Sequence, residues 1–175
     1  MPNHIENIVV FKSNHTDIEK IIDGDFSFKH IAPIPDIEEA DIIDWCCHNW
    51  GTKWDAYNVE ELDYYNDDNG VLVVKYQFNT AWSPPEPWLD KVSSVCPNTN
   101  IELYWSDEDL PNSGYVKYID GKKTEENYDD DCKEQALAFL EEYFPDKYDL
   151  YQDYFGDDSD NSDESEESTE SSESD

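Results

Sequence analysis

Trp45-Cys46-Cys47-His48 sets two thiols and an imidazole side by side, and thiolate and imidazole are ligands that zinc favours. The spacing works against a metal. Residues i, i+1 and i+2 of a helix point about 100° apart, so these three side chains cannot converge on one ion while helical. No CxxC pair is present to supply ligands instead. Cys96 and Cys132 each fall on an apolar helical stripe, where a free cysteine behaves as a small hydrophobe. A Cys-His nucleophilic pair would need surroundings that stabilise a thiolate, and the sequence displays none. The four cysteines read as structural and reduced. Two of them are adjacent, and the start of the chain lacks the charged and apolar regions of a secretory leader. The expectation is a cytoplasmic protein with no metal, no cofactor and no membrane span, since the longest apolar runs, Ile8–Phe11 and Val71–Val74, are short.

Carboxylates are the second candidate for chemistry. Glu60-Glu61, Asp63 and Asp67-Asp68 could pair for acid–base work, but they sit on a polar hairpin, where acids are ordinarily solvated. An enzyme is therefore not expected; a hydrolase with a Trp-lined pocket is the weaker alternative. Charge narrows the classes further. The chain has 44 acids, 11 bases and a formal net charge of −33. Ten of the acids and no base lie in residues 156–175, so the first 155 residues still carry a net −23. Such a field repels nucleic-acid phosphates and anionic membrane and attracts basic proteins. All eleven bases are lysine, which removes the bidentate guanidinium clamp on phosphate.

The third candidate is aromatic. Trp50-Gly51-Thr52-Lys53-Trp54-Asp55-Ala56-Tyr57 is followed by Phe78-Asn79-Thr80-Ala81-Trp82-Ser83-Pro84-Pro85. Gly51 between rings permits positive φ or close backbone approach. Thr52 and Lys53 can satisfy backbone groups and cover ring faces, the lysine by cation–π contact. Two readings stand side by side. Trp54 and Trp82 stack across a helix–sheet junction as core, or Trp50, Lys53, Trp54, Asp55 and Trp82 line a groove suited to a ring, a sugar or a peptide.

These segments resemble the signature of the YubB-like, or Api92-like, family of small proteins from plasmids, phages and some large DNA viruses. The likeness is carried by Trp50 to Asp55, Thr80 to Pro85 and Pro97, and it spans roughly residues 1–145. It implies a ferredoxin-like α+β fold, with no iron–sulfur cluster meant by that name, and it implies no particular activity. The acidic tail and the strongly negative domain depart from the family pattern.

The elements that would position these residues follow from periodicity and punctuation. A β-branched run, Glu6–Phe11, reads as a buried first strand. Asn14 can cap a helix reaching about Asp23, with Gly24 as its stop. Asp36 and Glu39 have capping-box spacing before a second helix with Ile37, Ala40, Ile43 and Cys47 on one side. Tyr57–Tyr65 and Val71–Asn79 form a hairpin about Asp67-Asp68-Asn69-Gly70. Trp88, Leu89, Val92, Val95 and Cys96 mark a helix ended by Pro97. Strands at Ile101–Trp105 and Gly114–Ile119 follow, then a polar edge strand turned by Asp120-Gly121. Asp129-Asp130-Asp131 precedes a last helix bearing Cys132, Ala136, Leu140 and Phe144, which Pro145 closes. The order suggests an α+β ferredoxin-like sandwich, a largely antiparallel sheet with helices packed on one face. Residues 1–155 make the domain. Residues 156–175 make a disordered acidic tail, too poor in apolar surface to offset chain entropy.

In that tail Ser159, Ser162, Ser165, Ser168, Ser171 and Ser174 recur every three residues among acids, with Ser172 beside them. An acid-directed kinase could use these serines as phosphorylation sites. The function expected is that of a non-enzymatic interaction protein of a large DNA virus or other mobile element, taking a basic protein partner through its acidic surface and tail. The alternative is a DNA mimic whose carboxylates imitate phosphate spacing to occupy a nucleic-acid enzyme. Neither an oligomeric state nor a named ligand follows from the residues.

Overall fold

The computed structural model describes residues 3–108, 112–128 and 133–155. The expected tail with its serines, the Asp129-Asp130-Asp131 run and Cys132 lie outside the described residues. β1 (His4–Ser13) is central because it is apolar on both sides: Ile5, Val9 and Phe11 point to one face and Ile8 to the other. Asn14 ends the strand and caps α1 (His15–Ile21), its side-chain oxygen accepting from the Asp17 amide at 3.0 Å. The chain then loops through a 3-10 turn (Phe28–His30) and a second (Glu39–Asp41) into α2 (Ile42–Trp50).

The capping box expected at Asp36 does not form. Glu38 is extended (φ −61°, ψ 142°) and separates Asp36 from the helix. The buried face of α2 is also shifted from the expected one. Cys46 and Trp50 are buried and Ile42 is half-buried, at i, i+4 and i+8, while Ile43 is exposed.

β2 (Tyr57–Asn66) and β3 (Leu72–Ala81) form the expected hairpin, closed by the Asp67 carboxylate accepting from the amides of Asn69 and Val71 at 2.8 and 2.9 Å. α3 (Glu86–Val95) carries the chain from β3 to β4 (Asn100–Asp107), with β1 paired antiparallel to both. That is a split β-α-β unit. β5 (Ser113–Ile119) and β6 (Lys122–Tyr128) meander outward through Asp120 and Gly121, whose φ angles of 52° and 70° suit a primed hairpin turn. The sheet order is β2-β3-β1-β4-β5-β6, antiparallel throughout. The first four strands with α1–α3 are the ferredoxin-like sandwich, and β5 and β6 extend it.

The expectation that helices pack on one face holds for α1–α3 and not for α4 (Lys133–Tyr143) and α5 (Pro145–Phe155). α4 ends ahead of Pro145 as expected, but it is not the last helix: Pro145 also starts α5, as its missing N–H allows at a first helical position. Ala136, Leu140 and Phe144 are buried as the stripe required. Phe139, Leu140, Phe144 and Tyr151 pack on Ile8 and Tyr104, strand positions of opposite parity to Val9 and Leu103 in the first core. Tyr104 and Tyr143 stack at 3.9 Å. The Lys147 ammonium pins α5 by donating to the carbonyls of Ser106 and Asp107 at 3.0 and 3.1 Å.

The first core is ring-rich. Trp88 lies edge-on to Phe11 and Phe26 and 4.7 Å from Phe28. Each such side chain contributes about 1.5–3 kcal/mol when fully buried. The buried indole N–H groups of Trp50 and Trp88 donate to the carbonyls of Ala32 at 2.9 Å and Phe28 at 3.1 Å. No helix among the described residues is long and apolar enough to cross a membrane.

Candidate functional site

The two tryptophan segments meet where α2 ends and β3 gives way to α3. Gly51 terminates α2 in the left-handed conformation, φ 81°, its amide donating to Cys47. A Cβ there would lie 2.5 Å from Pro87 Cδ and 3.0 Å from the Pro84 carbonyl oxygen, so only glycine lets the helix end sit against the prolines. Thr52, 1% exposed, then acts as a one-residue strand partner. Its hydroxyl donates to the Ala81 carbonyl and accepts from the Ala81 amide, both at 2.9 Å. The Ser83 hydroxyl donates to the Gly51 carbonyl. Thr80 donates to the Ser83 carbonyl at 2.8 Å and accepts from the buried Asn7 amide at 3.0 Å. The motif thereby clamps α2, β3, α3 and β1 together.

The five residues proposed for a groove divide between interior and surface. Trp50 is 1% exposed and belongs to the first core. Asp55 faces inward to the 3-10 turn, accepting from the Ser27 hydroxyl at 2.6 Å and the Phe28 amide at 2.8 Å. Trp54 and Trp82 stand 38% and 50% exposed. They meet through Lys53 rather than by the stacking expected of them: the ammonium lies 5.2 Å from the Trp54 ring centroid and 4.6 Å from that of Trp82. Trp82 holds φ at 76°, a conformation costing a bulky residue about 1–3 kcal/mol, and its amide donates to Asn3 at 3.0 Å. Beside it is a concavity of about 360 Å³ walled by Ile5, Trp82, Pro84, Pro87 and Trp105. Of the five, Trp82 alone borders it.

Among the described residues the thiols form no cluster with His48. Cys46 and Cys96 are buried, and burial pushes both thiols above the ordinary cysteine range. His48 is exposed. Among the described residues no group of three His, Cys, Asp or Glu side chains is arranged to hold a metal ion.

The carboxylates singled out from the sequence lie along an edge. β2 is the outermost strand on its side and is exposed at every position after Tyr57. Its register against β3 slips between Tyr57 and Glu60 and between Glu61 and Asp63, irregularities typical of sheet edges. Glu60 and Asp63 share a face, paired to Gln77 and Lys75, while Glu61 lies on the other and accepts from the Tyr76 hydroxyl at 2.9 Å. Burial, followed by that bond to Glu61, pushes the Tyr76 phenol well above its ordinary range. Val59, Leu62, Tyr64 and Tyr65 on β2 are exposed by 37–54%, as are Trp54 and Trp82. The exposure of these rings was not legible in the sequence, since a strand with Val, Leu and two Tyr ordinarily reads as half-buried. The opposite edge differs. β6 is mixed in charge, and Lys123 ties it to α3 through Glu86 at 2.8 Å.

The family model of the ferredoxin-like domain in Api92-like protein matches residues 49–172, beginning one residue ahead of Trp50. Among solved structures, the crystal structure of protein api92 from Yersinia pseudotuberculosis is similar to this chain at 16% identity and a TM-score of 0.44. That likeness covers 60% of this chain and 40% of the length of that protein. No curated protein matches the chain. The match over residues 49–172, taking in both tryptophan segments and five of the six strands, places this chain in the family of the ferredoxin-like domain in Api92-like proteins.

Proposed function

We propose that the chain is a non-enzymatic binding protein that takes a basic protein partner through its acidic surface, with residues 156–175 as a second acidic arm. One observation carries this reading. From Trp54 to Val74 the chain has six carboxylates and no basic residue, and the strand at the centre of that stretch, β2, is exposed along its length. Opposite charge on a partner is attracted there, and the exposed tyrosines supply the contact area that interfaces favour. The setting proposed is the cytoplasm, in the biology of a large DNA virus or other mobile element. The DNA-mimic alternative requires two rows of carboxylates at phosphate spacing; β2 offers two acids on one face and one on the other.

The test uses the full chain with a lysine-rich histone as the basic probe, titrated at about 150 mM salt, where charges beyond about 8 Å are screened. Glu60→Gln, Glu61→Gln and Asp63→Asn together change a net charge of −33 by three, too little to alter unspecific attraction much. A loss of affinity of tenfold or more in this triple variant supports the reading. A loss below twofold, with the fold intact by circular dichroism, overturns it.

A further inference from the structure

We infer that β2 receives an extended basic segment of the partner by strand addition, as a seventh strand on the sheet. The inference rests on the acidic-surface reading above and specifies how the surface is used. Sheet edges present unpaired backbone donors and acceptors, and an added strand satisfies them. β2 is ten residues long, terminal in the sheet order, and among the described residues no strand pairs with its outer side. From Asp63 to Asn66 it keeps regular register with β3, against Lys75 to Leu72, so its outer edge there is regular as well.

The occupant follows from charge and side-chain alternation. A second copy of β2 would set Glu60, Glu61 and Asp63 against their own like, and like charges opposed across strands destabilise pairing. A segment with Lys or Arg at alternate positions meets Glu60 and Asp63 on one face. That face is open at this end, because α4 and α5 pack on Ile8 of β1, Tyr104 of β4 and Tyr115 of β5, away from β2. The exposed ring of Tyr65, two residues from Asp63 and on the same face, offers such cations a cation–π contact. Acidic residues and bulges on an edge also serve to prevent aggregation. The two roles agree here: devices that exclude the chain's own strand leave the edge open to a basic one.

The experiment takes the 15N-labelled full chain and three ten-residue peptides: alternating Lys and Thr; the same peptide with four consecutive backbone amides N-methylated, which blocks both its edges at unchanged charge; and a version with Gln for Lys. Strand addition predicts that the first perturbs the amides of Glu60–Asn66, and that each of the others binds at least tenfold more weakly. Equal binding of the methylated peptide, with the same amides perturbed, overturns strand addition and leaves the acidic-surface reading standing. No binding by any peptide at millimolar concentration, together with histone binding indifferent to the triple variant, overturns both.

Discussion

Replacing Gly51 by alanine isolates what the Trp-Gly-Thr-Lys-Trp-Asp segment does for the fold. Two costs add. At φ 81° a non-glycine residue sits in the left-handed region, at about 1–2 kcal/mol. The new Cβ would lie 2.5 Å from Pro87 Cδ and 3.0 Å from the Pro84 carbonyl oxygen, and relieving that overlap costs about 1–3 kcal/mol more. The sum is about 2–5 kcal/mol. Gly24→Ala is the internal control, since its φ is 85° but nothing lies within 4 Å of a Cβ there. It carries only the backbone cost, about 1–2 kcal/mol. In urea unfolding with a slope of about 2 kcal/mol/M, the midpoint falls by about 1–2.5 M for Gly51→Ala and about 0.5–1 M for Gly24→Ala. Equal shifts for the two variants would refute the claim that helix end and prolines are in contact. A Gly51→Ala shift below about 0.3 M would refute the need for a left-handed residue as well.

Three further predictions concern other parts of the fold. Thr52→Val removes both hydrogen bonds to Ala81 and strands a buried N–H and C=O, lowering stability by about 2–4 kcal/mol, while Thr52→Ser loses under about 1.5, both read from urea midpoints. The Lys20 ammonium hydrogen-bonded to Asp17, with Asn14 assisting against the opposing effect of burial, holds the Asp17 carboxyl below the ordinary carboxylate range. The unfolded chain therefore binds that proton more readily. The contribution is complete above about pH 4 and is lost as pH falls through the folded value, so Asp17→Asn should flatten the acid limb of a stability–pH curve; an unchanged limb would contradict it. Finally, iodoacetamide on the native protein should label Cys47, which is half-buried, well before Cys46 and Cys96, whose buried thiols are held in the protonated form. Mass spectrometry of a time course that found Cys46 or Cys96 labelled first would show the core assignment to be wrong.

Local chemistry was legible in the residues wherever one short segment decided the outcome. Asn14 caps, Asp67 to Gly70 turns and Asp120-Gly121 turns, because each depends on a side chain bonding its own neighbours or on a tolerated positive φ. Outcomes set by distant partners were not. The stripe Ala136, Leu140, Phe144 says that a helix is buried, not which side of a sheet receives it; Ile8 and Tyr104 decide that. The same limit governs the site. Trp50 and Trp54 are four residues apart, yet Gly51 reverses the chain between them, so one ring enters the core and the other stays outside. The alternation that would have marked β2 as an edge is broken by two register slips, which no pattern of period two reveals.

The two separate apolar clusters make the domain divisible. Every side chain of the first cluster comes from residues 5–118, and α4 and α5 touch only the second. Detaching the last two helices would uncover Ile8, Tyr104 and their neighbours while leaving the ring-rich layer around Trp88 whole. Amides of α4 and α5 should therefore exchange with solvent through a partial opening of lower free energy than global unfolding, ahead of those in β1 and β3, which makes the C-terminal pair a cooperative unit in its own right.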